Sequence, residues 1–285
     1  MSNPAASPLL SPAQTPAPSP APTPLPGSWR ADPGARRPWR VQVPATVRGL
    51  VQRGGPPGLL VYGQGRTGST LLGTLLGSHP QITFLDEVLD TRVSCPLPYV
   101  QGLRAAGRPD HVGIHLKPQH LTYKQGVDDN GRWLAAAVDR GWRIVHLQRH
   151  DVLRHCLSTV QLSRTGVSHS RPGDGFRPAP VPVDPQALLA WMRAREDARA
   201  QEARDLAPLS HEVVVYERDL LPGPDTWAPT TDRVFRHLGL APVPVTTPLR
   251  KTNVGLLSDL VANPDEVAAA VAESPWAHLL AGAIA

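Results

Sequence analysis

The run Val61-Tyr62-Gly63-Gln64-Gly65-Arg66-Thr67-Gly68-Ser69-Thr70-Leu71-Leu72 constrains this chain more than any other. A short apolar stretch, Leu59 to Tyr62, leads into a cluster of glycines, and a helix-like apolar pattern follows at once. Glycines at 63, 65 and 68 are expected to take positive φ and to bring the backbone close to a ligand. The first N–H groups of the helix have no intrahelical partner and point at an anion. The spacing fits the phosphate-loop pattern G-x-x-x-x-G-K-[ST] at every position but one, because Ser69 stands where the lysine belongs. In a nucleotide triphosphatase that lysine reaches the terminal phosphates and the hydroxyl after it holds Mg²⁺. Here the cation lies three places earlier, at Arg66, and Ser69 and Thr70 supply hydroxyls at the helix start. The arrangement suits a ligand less charged than a triphosphate, for which a metal clamp is unnecessary.

From Leu59 onward strand-like and helix-like segments alternate. Strands are expected at Leu59–Tyr62, Ile82–Leu85, Val112–Leu116, Arg143–Leu147 and Glu212–Tyr216. Helices are expected at Ser69–Gly77, Arg132–Arg140, Asp151–Ser163, Pro185–Ala207, Thr231–Leu238 and Pro264–Glu273. The clearest is Pro185–Ala207, with Asp184 as N-cap and Pro185 in the first helical position. Alternation of this kind implies an α/β fold, a single P-loop-like domain whose central, mostly parallel sheet is flanked by helices. Ligands of such sheets sit at the carboxyl ends of the strands. The glycine loop, Asp86-Glu87, Lys117 and Arg149 all follow expected strands and would share that rim. Ser168 to Val183 is rich in Pro and Gly and reads as a loop.

Composition bounds the rest. The 33 prolines of the 285 residues crowd the start of the chain, where residues 1–57 read as a proline-rich tail and basic lead-in ahead of a domain at 58–285. Met1 to Trp29 is expected to be disordered, and Arg30 to Arg53 to be partly ordered at best. A net charge of +5 fits an anionic ligand but is too dispersed for nucleic acid, with no basic stripe interleaved with aromatics. No signal-peptide pattern and no membrane span are expected, and Cys95 and Cys156 form neither a metal pattern nor a disulfide framework. A cytoplasmic protein is expected.

The stretch Arg143 to Ser158 reads as strand, turn and helix, with Arg149 at the strand end and Ser158 two turns into the helix. A guanidinium and a hydroxyl so placed can grip one phosphate from two sides. Together with the first loop, this resembles the two signatures of sulfotransferases that use 3′-phosphoadenosine-5′-phosphosulfate. Gly65-Arg66-Thr67-Gly68-Ser69-Thr70-Leu71-Leu72 is similar to the family's 5′-phosphosulfate loop, and Arg149 with Ser158 to its 3′-phosphate pair. The spacing between the latter two is that of the bacterial trehalose-type carbohydrate sulfotransferases. Gly77 to Glu87 resembles the continuation in those enzymes, with Val88 where they carry proline. Tyr216-Glu217-Arg218-Asp219-Leu220 resembles their Y-E-D-L turn with one residue inserted, and Arg250-Lys251-Thr252-Asn253 their late basic loop.

The resemblance implies in-line sulfuryl transfer from that cofactor to a hydroxyl of a carbohydrate, glycolipid or similar small acceptor, leaving 3′,5′-bisphosphoadenosine, without a required metal. It implies Gly65, Arg66, Thr67, Gly68, Ser69, Thr70, Arg149, Ser158, Arg250 and Lys251 as cofactor ligands. Arg66 would stabilise the leaving phosphate and Glu87 would be the base, with His115 as the second candidate; Lys117 and His120 would meet the acceptor or the transferring group. Asp86, Glu217 and Asp219 read as structural. The competing readings are a P-loop kinase, which lacks its lysine here, and a non-catalytic nucleotide-binding scaffold.

Overall fold

A computed structural model describes residues 36–51, 54–107, 110–165, 179–249 and 255–283. The tail at 1–29, residues 168–178 of the Pro/Gly-rich loop, and Arg250, Lys251, Thr252 and Asn253 lie outside the described residues.

Five strands form one all-parallel sheet in the order β2-β3-β1-β4-β5. They are β1 (Gly58–Tyr62), β2 (Ile82–Phe84), β3 (His111–Leu116), β4 (Trp142–Gln148) and β5 (His211–Val215). Each matches an expected strand to within a residue or so at either end. β1 is central, pairing Leu60 with Ile114 on one side and with Ile144 on the other. Alternate residues of β1 therefore feed two cores, as a sheet covered on both faces requires. Leu60 and Tyr62 pack with Ile114, Ile144, Trp133 and Leu134 beneath α3 (Pro96–Ala106) and α4 (Asn130–Val138). Leu59 and Val61 pack with Leu72, Leu75, Val234 and Phe235 of α2 (Ser69–Leu76) and α7 (Pro224–Leu238). A third apolar cluster joins α5 (Val152–Thr165), the start of α6 (Pro185–Leu206), α8 (Leu257–Leu260) and α9 (Pro264–Ala272). α6 is capped as its sequence announces, with Asp184 Oδ1 accepting from Gln186 N at 2.9 Å, a bond worth about 1 kcal/mol. The described end of the Pro/Gly-rich loop is packed, Val181 forming an isolated parallel bridge with Val261.

Three departures from the sequence reading have clear causes. α7 starts at Pro224, seven positions before Thr231, and carries Pro229 inside it. Tyr216 does not extend β5. It opens a π-turn, Tyr216–Leu220, closed by Leu221 N to Tyr216 O at 2.8 Å, which absorbs the inserted residue of that motif in a wider ring. The largest departure is α1 (Trp39–Val51), a helix where the sequence reading has a partly ordered lead-in. α1 lies against α3, the second helix absent from the sequence reading, and small residues make the contact. A Cβ on Gly49 would strike the Pro98 carbonyl, and one on Gly102 would strike the Ala45 carbonyl. Backbone therefore meets backbone, and neither helix can shift aside cheaply. Gly102→Ala should destabilise the protein by ~1–3 kcal/mol through overpacking, read as a lowered urea midpoint, whereas an equal exchange at exposed Gly126 should cost strain alone and leave α1 in place.

Candidate functional site

Because all five strands are parallel, their carboxyl ends make one rim, and the glycine loop rises from its centre. The loop is fixed by its carbonyls. Gln64 O accepts from Thr67 Oγ1 (2.7 Å), Gly65 O from His155 Nε2 (2.7 Å) and Arg66 O from Arg149 Nη1 (3.0 Å). In a trans peptide the N–H points opposite to the C=O, so the amides of 65 to 67 face away from these donors. His155 is fully buried, and burial and the nearby arginines hold its pKa well below the ordinary value. Its ring is therefore neutral, and a carbonyl can only accept, so Nε2 carries the proton.

The glycines do different work from that expected of them. Positive φ falls at Gly68 (91°) and at Arg66 (71°), not at Gly63 or Gly65. Gly63 is small because the Leu147 carbonyl of β4 crowds it, and Gly65 because the Lys117 side chain lies over it, 3.1 Å from where a Cβ would stand. Gly68 is the N-cap of α2; no side chain caps that helix, and the Tyr216 ring packs beneath it. The first amides of α2 are thus left for a ligand.

Arg66 and Arg149 meet at this helix end. Arg66 Nε donates to Ser158 Oγ at 3.1 Å, so Ser158 is tied to the first arginine. Arg149 lies over the Tyr216 ring at 4.8 Å, and its Nε is buried with no hydrogen-bond partner among the described residues, 3.7 Å from Glu217 Oε1. Burial first, and then each other's presence in the case of Arg66, lowers the pKa of these guanidinium groups. Glu217 also accepts from His150 N (3.0 Å) and Asp151 N (3.1 Å), which fixes the turn carrying Arg149 and supports its structural reading. Asp219 is structural too, accepting from Val215 N at 2.7 Å. Arg250 and Lys251 fall outside the described residues, but Gly255, which follows that segment, is held at 3.1 Å by Arg154 of α5.

Across the rim, three sequence candidates converge on a fourth, the Glu87 carboxylate. Lys117 Nζ lies 2.6 Å from both oxygens of Glu87, His115 Nδ1 3.3 Å from Oε1, and His120 Nε2 3.5 Å from Oε2. Asp86 takes a positive φ of 53°, and its carbonyl accepts from His115 N (3.0 Å), which aims the next residue at this cluster. Burial pushes the Glu87 carboxyl up, yet His115 and Lys117 outweigh it and hold the pKa at about 2. Burial and the Lys117 charge push His120 down to about 3, so its ring is neutral. Asp86, Glu87 and His115 also offer three metal-ligand atoms within 4.8 Å of one another, but the Lys117 ammonium already takes the place of a cation against Glu87. Lys117 connects the two halves of the site, touching Glu87 with its head and Gly65 with its stem.

Sequence reasoning missed the groups that brace the loop from below. Arg195 of α6 donates to Gln64 Oε1 and to Thr159 Oγ1, both at 3.1 Å, while Gln64 Nε2 returns a bond to Arg195 O. Cys156 lies beside it, its thiol pushed up to about 12 by burial. Further along α6, Glu202 meets His146 Nε2 at 3.2 Å and Asp205 accepts from Tyr62 OH at 2.9 Å. The signal was present, because extending the inward register of Leu188 and Met192 by helical steps lands on Arg195, Glu202 and Asp205.

The fold and site together define an α/β protein with two neighbouring arginines at a helix N-terminus and a carboxylate across the rim. No family model matches the chain, and no curated protein matches it. Among solved structures it is similar to a sulfotransferase from Alicyclobacillus acidocaldarius, with 16% identity over 80% of this chain and 96% of that one and a TM-score of 0.44. It is also similar to the sulfotransferase domain of the olefin synthase of Synechococcus PCC 7002, with 12% identity over 67% of this chain and 76% of that one and a TM-score of 0.39. Likenesses this distant do not decide the chemistry.

A carboxyl held at about 2 stabilises the fold fully above its ordinary pKa of 4.5 and loses that contribution as pH falls toward 2. The stability gap between the wild type and Glu87→Gln, measured by thermal melts, should accordingly be constant from pH 7 to about 5 and close between 4.5 and 2. A gap unchanged down to pH 2.5 would show that Lys117 and His115 do not hold the charge on Glu87.

Proposed function

We propose that this protein is a sulfotransferase that takes a sulfuryl group from 3′-phosphoadenosine-5′-phosphosulfate and passes it to a hydroxyl of a carbohydrate, glycolipid or similar small acceptor. The observation that carries the reading is the meeting of Arg66 and Arg149 at the uncapped start of α2, with Ser158 bonded to Arg66. Two largely buried guanidinium groups side by side repel, and Glu217, 3.7 Å from Arg149 Nε, supplies one negative charge against them, so a further anion would be stabilised here. Arg149 Nε has no hydrogen-bond partner among the described residues, and the donors at this helix end, namely the two arginines, the first amides of α2 and the hydroxyls of Ser69, Thr70 and Ser158, match an anion with several oxygens. The donor set therefore fits a phosphate-bearing ligand, and the nucleotide is the one proposed from the sequence motifs.

When bound, that nucleotide supplies an activated sulfuryl group on a phosphate leaving group. Arg66 and the amides of Thr67 to Thr70 hold the charge that gathers on the leaving phosphate, and Arg149 with Ser158 holds the ribose phosphate. Arg250 and Lys251 are proposed to close on that second phosphate. Glu87 takes the proton of the attacking hydroxyl, which Lys117 and His120 orient. A carboxylate with a pKa of about 2 is a weak base, so Lys117 restrains Glu87 while it rests there. The lysine stem already lies against Gly65, so a short shift of the ammonium toward the loop frees the carboxylate. His115 is buried behind Glu87 and orients it.

Calorimetric titration should show 3′,5′-bisphosphoadenosine binding without Mg²⁺ and far more tightly than ATP. Arg149→Ala should weaken that binding by about 10- to 100-fold, the worth of one or two charge-assisted bonds, and leave adenosine 5′-phosphate within about threefold. Equal losses for both nucleotides would remove Arg149 from the 3′-phosphate. In a sulfate-label transfer assay over a panel of hydroxyl acceptors, Glu87→Gln should lower kcat by ~10²–10⁴ with bisphosphate affinity nearly unchanged, and an unaltered rate would move the base to His115.

A further inference from the structure

The apolar surface of this protein is distributed unusually. Of nine large hydrophobic residues left exposed among the described residues, six lie on α1, namely Trp39, Val41, Val43, Val47, Leu50 and Val51. At 3.6 residues per turn, Trp39, Val43, Val47 and Leu50 fall within about 80° of arc, and Val51 extends the same stripe. This stripe points away from α3, because Ala45 and Gly49 face α3 from the opposite side of the helix. Trp39 is 76% exposed, Leu50 63% and Val51 74%, so the stripe is a bare ridge and not the wall of a groove.

Charge accompanies it. Arg40 lies within the stripe and Arg48 at its margin, and Arg36 and Arg92, joined by a backbone bridge at the start of α1, add two more exposed cations. No acidic residue occurs between Pro33 and Arg53. Long arginine stems can lie along an apolar layer while their heads reach its polar edge. Among the described residues no helix is long and apolar enough to cross a membrane, and α1 has 13 residues. A short helix with one apolar face, terminal Trp and flanking arginines has the composition of a helix that lies in a bilayer interface.

We propose that α1 is a docking surface for an anionic lipid bilayer, its Trp39–Val51 ridge inserted among the acyl chains and its arginines on the headgroup phosphates. A protein partner complementary to this ridge would need an apolar trough rimmed with acids; a bilayer with anionic headgroups offers both at once. Docking has a direction. Arg37 donates to Val88 O at 3.2 Å and to Asp90 Oδ1 at 3.5 Å, and Gln42 Oε1 accepts from Ser94 N at 3.0 Å. The start of α1 is therefore fastened to the segment that follows Glu87. Two of the remaining exposed hydrophobics, Leu85 and Tyr123, belong to the rim loops that carry Glu87 and His120. A membrane under α1 brings that rim close to the headgroups.

The test is flotation of the full chain with vesicles of phosphatidylcholine alone and of phosphatidylcholine with about 30 mol% phosphatidylglycerol. Wild type should float with the anionic vesicles and release as salt is raised. Val43→Glu/Leu50→Glu should lower its partitioning at least tenfold. Arg40→Glu/Arg48→Glu should lose about tenfold or more on anionic vesicles while leaving the small binding to neutral ones unchanged. Circular dichroism and the melting shift given by 3′,5′-bisphosphoadenosine should be the same in all three proteins, which separates this outcome from the fate of the sulfotransferase reading. Wild type that floats with neither vesicle, or Val43→Glu/Leu50→Glu that floats as wild type does, would overturn the proposal. A wild-type dimer that the same double variant converts to monomer would overturn it too, in favour of a second copy of the chain on the ridge.

Discussion

Three consecutive carbonyls, those of Gln64, Gly65 and Arg66, are each turned inward by a side-chain donor, and the site depends on this more than on any single charge. Peptide geometry does the rest, because a carbonyl fixed toward the protein body commits the neighbouring amide to the mouth. The donors come from different places. Thr67 is within the loop, His155 is on α5, and Arg149 is at the end of β4. Arg195 on α6 secures the Gln64 side chain as well. The anion cradle is thus an outcome of helix and strand packing, set before a ligand arrives, and preorganisation of this kind spares the reorganisation cost at the moment of binding.

Much of this was legible in the sequence, and what was not has physical reasons. The five strands are short apolar runs ended by turn residues, and each stands close to where its pattern puts it. The rim residues Glu87, Lys117 and Arg149 follow strand ends, and parallel topology suffices to gather them. The helices α1 and α3 were hidden by prolines, Pro44 in one and Pro96 and Pro98 in the other. α1 was hidden a second time by its polarity, since Val43, Val47 and Leu50 face solvent while small Ala45 and Gly49 face the protein. Reading hydrophobic as inward fails for such a helix. The inserted residue near Arg218 was visible, but its accommodation as a π-turn is a matter of backbone geometry that residue types do not encode. The glycine loop stands between β1 and α2 where the sequence reading puts it but with a different division of labour, because crowding at Gly63 and Gly65 leaves no trace in sequence.

The layer between α6 and the sheet has a different character from the other cores. Arg195, Cys156, Thr159, Glu202, His146, Tyr62 and Asp205 form a buried polar seam that runs from the loop along the face of the sheet. Such seams stabilise little relative to apolar packing but are costly to break once formed, because a lost member leaves a buried charge unpaired. They also fix register. α6 cannot slide along the sheet without separating Arg195 from Gln64 and Asp205 from Tyr62 together. The long helix thereby behaves as a ruler that sets the height of the anion loop above the strands.

Arg66 occupies a left-handed backbone conformation, at φ 71°, that glycine would adopt at no steric cost. Glycine would relieve that strain but would lose the side chain that bonds Ser158 and is proposed to hold the leaving phosphate. An engineer optimising this scaffold for heat tolerance would find glycine an attractive exchange there, at the cost of the proposed anion ligand. Backbone tension at a charged residue can thus be sought in other folds as a pointer to a candidate site.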